Sequence, residues 1–140
     1  MTHQYQLHPR LAEDTVAVDN LELCEVRLLN DSRFPWLILI PRKAGISEVY
    51  QLDRADQKQL ILESSLVSEI LKEVVSADKI NVGALGNLVP QLHWHVVARS
   101  KSDACWPGPA WGCGKSVAYQ NKTMQQLVVR LGGAIGNSSE

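Results

Sequence analysis

The run Gln91-Leu92-His93-Trp94-His95 sets three polar side chains at alternate positions. In an extended strand, residues two apart share a face, with alpha carbons ~6.6 Å apart. Gln91, His93 and His95 would then form a polar row, and Leu92, Trp94 and Val96 an apolar row that anchors the strand in a core. A histidine has an ordinary pKa of about 6.5, so near neutral pH much of it is unprotonated and nucleophilic. A second imidazole beside it can donate a hydrogen bond, or as a cation stabilise charge growing on an oxygen. Gln91 donates and accepts hydrogen bonds but does not titrate. Three readings of the histidine pair stay open on these residues alone. It is a hydrogen-bonded structural pair on a half-exposed strand, a metal site, or a catalytic pair. The metal reading has no third ligand from a cysteine or carboxylate at a familiar spacing.

Such a pair needs a frame. His8 to Asp14 predicts a short helical turn with Pro9 near its start. Thr15 to Val18 and Leu21 to Leu28 read as a hairpin turning at Asp19-Asn20. Asn30 to Arg33 is turn chemistry again. The apolar run Trp36 to Ile40, closed by Pro41, fits a central strand covered on both faces. Asp53 caps a helix from about Arg54 to Ser76. Its apolar face is Leu60, Leu66, Val67, Ile70, Leu71, Val74 and Val75, with Glu63 and Ser64 at an exposed edge. Lys79 to Gly83 is a short strand, and Leu88 to Arg99 the next. Cys105 to Gly114, rich in Pro, Gly and Trp, is an ordered irregular loop. Asn121 to Ile135 predicts a C-terminal helix weakened by Gly132-Gly133. Strands around one long central helix, without regular alternation, make an α+β fold with a largely antiparallel sheet.

The chain has 140 residues, which suits one domain over 1–140 with a single core. Its formal net charge is -1 without a long basic run, so neither a nucleic-acid groove nor an anionic membrane surface is implied. Arg33, Arg42, Lys43, Arg99, Lys101 and Lys115 are scattered cations that read as solvated surface. Cys24, Cys105 and Cys113 are odd in number and lack a two-residue spacing; Cys105 and Cys113 offer a bridge or a shared metal, but we favour reduced thiols of a cytoplasmic protein. No apolar stretch approaches the ~20 residues that span a bilayer. The polar start MTHQYQLHPRLAEDT carries no signal-peptide hydrophobic region.

The stretch Ile80 to Arg99, INVGALGNLVPQLHWHVVAR, resembles the histidine triad (HIT) family. That family carries an Asn-x-Gly loop and then three histidines alternating with apolar residues. Trp36 to Arg42 is similar to the family's strand ending in Pro and a basic residue, and the helix from Arg54 to its central helix. The resemblance, over roughly residues 20 to 100, implies a HIT-like fold, a homodimer, and action at the α-phosphate of a purine nucleotide or nucleotide conjugate. It implies that His93 is the nucleophile and that His95 contacts phosphate oxygens. Asn30 would hold a ribose hydroxyl and Asn81 would lie near the phosphate. Backbone amides from Gly83 to Asn87 would bear developing charge. No metal is required by this scheme, and Mg²⁺ would arrive with the nucleotide. Two departures are plain: Gln91 replaces the first histidine, and the interval from Asn81 to Gln91 is one residue short. Gln91 should then hold the His93 segment or a phosphate oxygen without moving a proton. The same departure favours, as an alternative, a nucleotide sensor that forms no covalent intermediate. Trp106 to Gly112, following the motif, would close over the site, pack on a second subunit, or complete the core.

Overall fold

A computed structural model of the chain describes residues 4–138. Strands β1 (Thr15–Asn20), β2 (Cys24–Leu29), β3 (Trp36–Pro41), β4 (Lys79–Gly83) and β5 (Trp94–Arg99) form one antiparallel sheet in the order β1-β2-β3-β5-β4. Helix α1 (Pro9–Asp14) precedes the sheet; α2 (Arg54–Val75) runs before β4, and α3 (Asn121–Ser138) closes the chain. This is the expected α+β architecture. Among the described residues no helix is long and apolar enough to cross a membrane.

Every residue of β3 is buried, as its unbroken apolar run requires. Leu37 and Leu39 pack with Val26, Leu28 and Val96 against Leu60, Val67 and Leu71 of α2 and Leu131 and Ile135 of α3. The alternate residues Trp36, Ile38 and Ile40 face the other side, with Leu11, Phe34, Val89, Val97 and Ala110. The sheet is therefore covered by two helices on one face and by α1 and loops on the other. The histidines lie on the loop-covered face.

Asp53 caps α2, its carboxylate accepting from the Asp56 N–H at 2.8 Å. Glu63 and Ser64 are not an exposed edge: both are buried, 3% and 6% exposed. The Glu63 carboxylate accepts from the N–H groups of Leu23 and Cys24, both at 2.8 Å. Asp19 and Asn20 belong to β1, which bulges between Ala17 and Asp19, and the chain turns instead at Leu21 to Leu23. Leu21 and Leu23 are buried there, and Glu63 satisfies the amides that the turn leaves unpaired. Ser64 accepts the indole N–H of Trp94 at 2.8 Å, pinning β5 to α2.

Two further expectations shift. The strand expected from Leu88 begins only at Trp94: Pro90 has no N–H to donate, and the Leu92 N–H goes to Ile46 O at 2.9 Å instead of to β3. Helix α3 runs on through Gly132-Gly133 to Ser138. A Cβ on Gly132 would meet Val18 O at 3.1 Å, so the missing side chain lets α3 lie close on β1.

Candidate active site

Although His93 precedes β5, the alternation persists through it. Leu92, Trp94 and Val96 enter the helix-side core, while His93 and His95, each 8% exposed, turn to the opposite face. Their rings lie 4.9 Å apart at 63°. Each ring has one nitrogen engaged by the protein, and the two engagements differ in sense. His93 Nδ1 lies 2.7 Å from the Gln91 backbone carbonyl. A carbonyl only accepts, so Nδ1 carries the proton and Nε2 presents its lone pair. His95 Nδ1 instead accepts the indole N–H of Trp36 at 2.9 Å. The neutral ring then carries its proton on Nε2. Burial, reinforced by neighbouring His93, pushes the His95 pKa down to about 4. At neutral pH His95 is thus a neutral donor, which removes the alternative in which it acts as a cation.

Both histidines line a cleft of about 360 Å³, within the roughly 300–1,000 Å³ range of small-molecule sites. Leu11, Leu29 and Ile38 form apolar wall, Asn87 and its loop another side, and Trp111 a third. A purely structural histidine pair would line no cavity. From Ala84 to Gln91 no backbone N–H donates to a backbone carbonyl, leaving the loop amides free as donors. Gly86, at φ 70°, makes its turn in the left-handed region that suits glycine.

The other expected residues are placed as follows. Gly83 sits opposite His95 on β4, and a Cβ there would touch the Trp111 ring at 3.8 Å. Gln91 does not reach the cleft with its side chain. Its Oε1 accepts from the His8 N–H and its Nε2 donates to Gln6 O, both at 2.8 Å. Asn30 and Asn81 are likewise outside the cleft lining: Asn30 Oδ1 accepts from the Tyr119 N–H at 2.8 Å, and Asn81 Oδ1 from Arg99 Nη1 at 2.9 Å. Arg99 is no solvated cation but 2% exposed, paired with Asp103 at 2.8 Å and donating to Gly108 O. Burial opposes charge on Asp103, but the bonds from Arg99 and from the Ser100 and Cys105 amides outweigh it and lower its pKa to about 2. Cys105 and Cys113 form a disulfide, which overturns their reading as reduced thiols. Among the described residues no three of His, Cys, Asp and Glu cluster as metal ligands.

The sequence profile of the HIT domain matches residues 10–102. The chain belongs to the HIT domain family. It shares 43% identity with a histidine triad protein from Bradyrhizobium japonicum, across 95% of this chain and 99% of the other, at a TM-score of 0.92. A histidine triad protein from Sinorhizobium meliloti 1021 is 46% identical over 91% and 94% of the two chains, TM-score 0.89. One from Marinobacter aquaeolei VT8 is 43% identical over 96% and 98%, TM-score 0.93. No curated protein matches the sequence.

Within this HIT domain, three contributors to the site are not signalled by the motif: Trp36, Arg10 and Asp14. Trp36 reads in the sequence only as the start of a core strand, yet its indole nitrogen sets the His95 tautomer. Arg10 and Asp14 of α1 line the cleft and pair at 3.6 Å; the i,i+4 spacing was the available signal. Trp111, one of two tryptophans in the irregular loop, meets His95 edge-on at 5.7 Å and Trp36 at 5.8 Å.

Proposed function

We propose that this HIT protein transfers a nucleotidyl group through a covalent intermediate on His93. One observation carries the reading: two adjacent imidazoles of opposite tautomer lining a cleft, one with a bare Nε2 and the other with an Nε2–H. The first is a nucleophile and the second a donor to an oxygen that gains charge. His93 Nε2 attacks the α-phosphorus of a purine nucleotide conjugate, a dinucleoside polyphosphate or a nucleoside phosphoramidate. The P–N bond to His93 forms as the P–O or P–N bond to the leaving group breaks. The Gln91 carbonyl stabilises the positive charge that His93 acquires, through its Nδ1–H. His95 Nε2–H and the free amides of the Ala84 to Asn87 loop bind the non-bridging oxygens. Water, or a second substrate, then takes the nucleotidyl group from His93.

The remaining residues take supporting roles in this proposal. Asn87 faces the phosphate from the cleft wall, and Gly83, opposite His95 on β4, borders Trp111. Asn81 and Asn30 support the walls by holding Arg99 and the Tyr119 amide. The apolar wall of Leu11, Leu29 and Ile38 suits a base. The chemistry needs no resident metal, and Mg²⁺ enters only on the nucleotide. The unpaired edge of β4, with Val82 47% exposed, and the exposed Ile61 and Leu62 of α2 support a homodimer.

Turnover of adenosine phosphoramidate and of diadenosine polyphosphate by the wild type and by His93→Ala tests this reading. Loss of nucleoside monophosphate release in the variant is the expected result. Near-normal rates in His93→Ala would sink it, and tight nucleotide binding without turnover in the wild type would favour the sensor.

A further inference from the structure

The loop after β5 holds a feature that the catalytic scheme does not use. Trp111 Nε1 is buried and has no hydrogen-bond partner. A buried donor left unsatisfied costs about 1–3 kcal/mol, so the indole is not kept in place by its own polar group. The loop around it is what holds it. The Cys105–Cys113 disulfide closes an eight-residue separation, and Ala110 between them is buried at 3% exposure. Arg99 Nη2 donates to Gly108 O at 2.7 Å, and Arg33 Nη1 donates to the Cys113 carbonyl. Held this way, the indole closes a three-ring cluster: Trp111 to His95 at 5.7 Å, Trp111 to Trp36 at 5.8 Å, and Trp36 to His95 at 5.6 Å.

We propose that Trp111 is a positioning residue for His95: the disulfide-closed loop seats its indole against His95 and Trp36, excluding water and keeping the His95 ring in its Nε2–H tautomer. The inference rests on the covalent reading only for its kinetic consequence, since the geometry stands without it. Few charges compete for control of this ring. His93 adjoins it, and Arg10 and Asp14 lie across the cleft on α1. From β3 and β4 it meets Trp36, Ile38 and Gly83, none of which titrates. Removing the indole admits water to the ring, so burial no longer disfavours its charged form. Opening the disulfide does the same by freeing the loop. A dithiol attacks one sulfur, the Cys105–Cys113 bond breaks, and the reagent closes to its own ring disulfide, leaving its two protons on the cysteines.

The test is the histidine ring titration followed by NMR on the full chain, in the wild type, Trp111→Ala, Trp111→Phe, and the wild type reduced with dithiothreitol. The His95 midpoint, about 4 in the oxidised wild type, is expected to rise by about one pH unit or more in Trp111→Ala and in the reduced protein. Trp111→Phe keeps a ring in the seat and drops the unsatisfied N–H, so its midpoint should stay near the wild-type value. An unmoved midpoint in Trp111→Ala overturns the positioning role. An unmoved midpoint after reduction, with free thiols confirmed by mass, overturns the part given to the disulfide. None of these readouts needs turnover, so a failure of covalent catalysis is distinguishable from a failure of this inference.

Discussion

Trp36 and His95, 59 positions apart in the chain, are joined by a 2.9 Å hydrogen bond from the indole N–H to the ring Nδ1. Because His93 uses the same ring atom as a donor to the Gln91 carbonyl, the two histidines present opposite Nε2 groups to one cleft. The division of labour between nucleophile and donor is thus set by two fixed protein groups.

Replacing Trp36 by Phe keeps an aromatic ring and removes that donor. His95 Nδ1 then becomes a buried acceptor without a partner, which costs about 1–3 kcal/mol of stability. The ring is also free to take the other tautomer. Urea unfolding should show the stability loss, and single-turnover kinetics a fall of about tenfold or more, larger in the chemical step than in nucleotide affinity.

The depressed His95 pKa makes stability depend on pH. The unfolded chain protonates this ring near 6.5 and the folded protein only near 4. Between those values the unfolded state binds more protons. Stability from this group is therefore complete above about 6.5 and falls as the pH drops towards 4, by about 3 kcal/mol in all. Denaturant midpoints measured from pH 7 to 4 should show this slope, and His95→Gln should flatten it. Asp103, whose folded pKa is lowered to about 2, acts in a separate window. Its contribution is present above the ordinary carboxylate range and is lost only as the pH falls towards 2.

Glu63→Ala strands the Leu23 and Cys24 amides inside the protein. We expect a loss of about 3 kcal/mol in urea unfolding, because two buried donors lose their acceptor together. The histidine cleft lies on the opposite face of the sheet, so the kcat of the molecules that remain folded should be unchanged.

The Gln91 side chain is spent on the N-terminal segment. Gln91→Ala should lower stability by about 1 kcal/mol and leave the chemical step intact, since the group that orients His93 is the backbone carbonyl. By the same reasoning Gln91→His should not raise kcat. A large gain in that variant would show that position 91 reaches the substrate.

Much of this was legible where one periodicity had one physical meaning. The unbroken apolar run Trp36 to Ile40 fits a strand covered on both faces, which the structure extends by one residue to Pro41, and Asp53 with the apolar stripe from Leu60 to Val75 marks α2. The facing of His93 and His95 also followed from alternation. It held beyond the strand itself because Leu92 and Trp94 both have core to fill. Legibility failed where distant partners decide. Glu63 looks like an edge residue until Leu23 and Cys24 are folded onto it. Asp19-Asn20 looks like a turn until the bulge carries both into β1. Arg99 reads as a surface cation, and its burial depends on Asp103, Asn81 and Gly108 O meeting around it. Nothing local in the sequence announces that Trp36 would reach His95, whereas closure of the Trp106 to Gly112 loop over the site is one of the readings open for it. The resemblance singles out the two histidines and has Gln91 hold either the His93 segment or a phosphate oxygen; the Gln91 side chain does neither and is tied to His8 and Gln6.

The most direct test of the central claim is the intact mass of the protein, quenched in acid during turnover of diadenosine polyphosphate and, separately, of adenosine phosphoramidate. The account requires a gain of one nucleotidyl group in the wild type, absent from His93→Ala. No adduct on the wild type while monophosphate is being released would contradict it, because the phosphorus would then have been attacked by something other than His93.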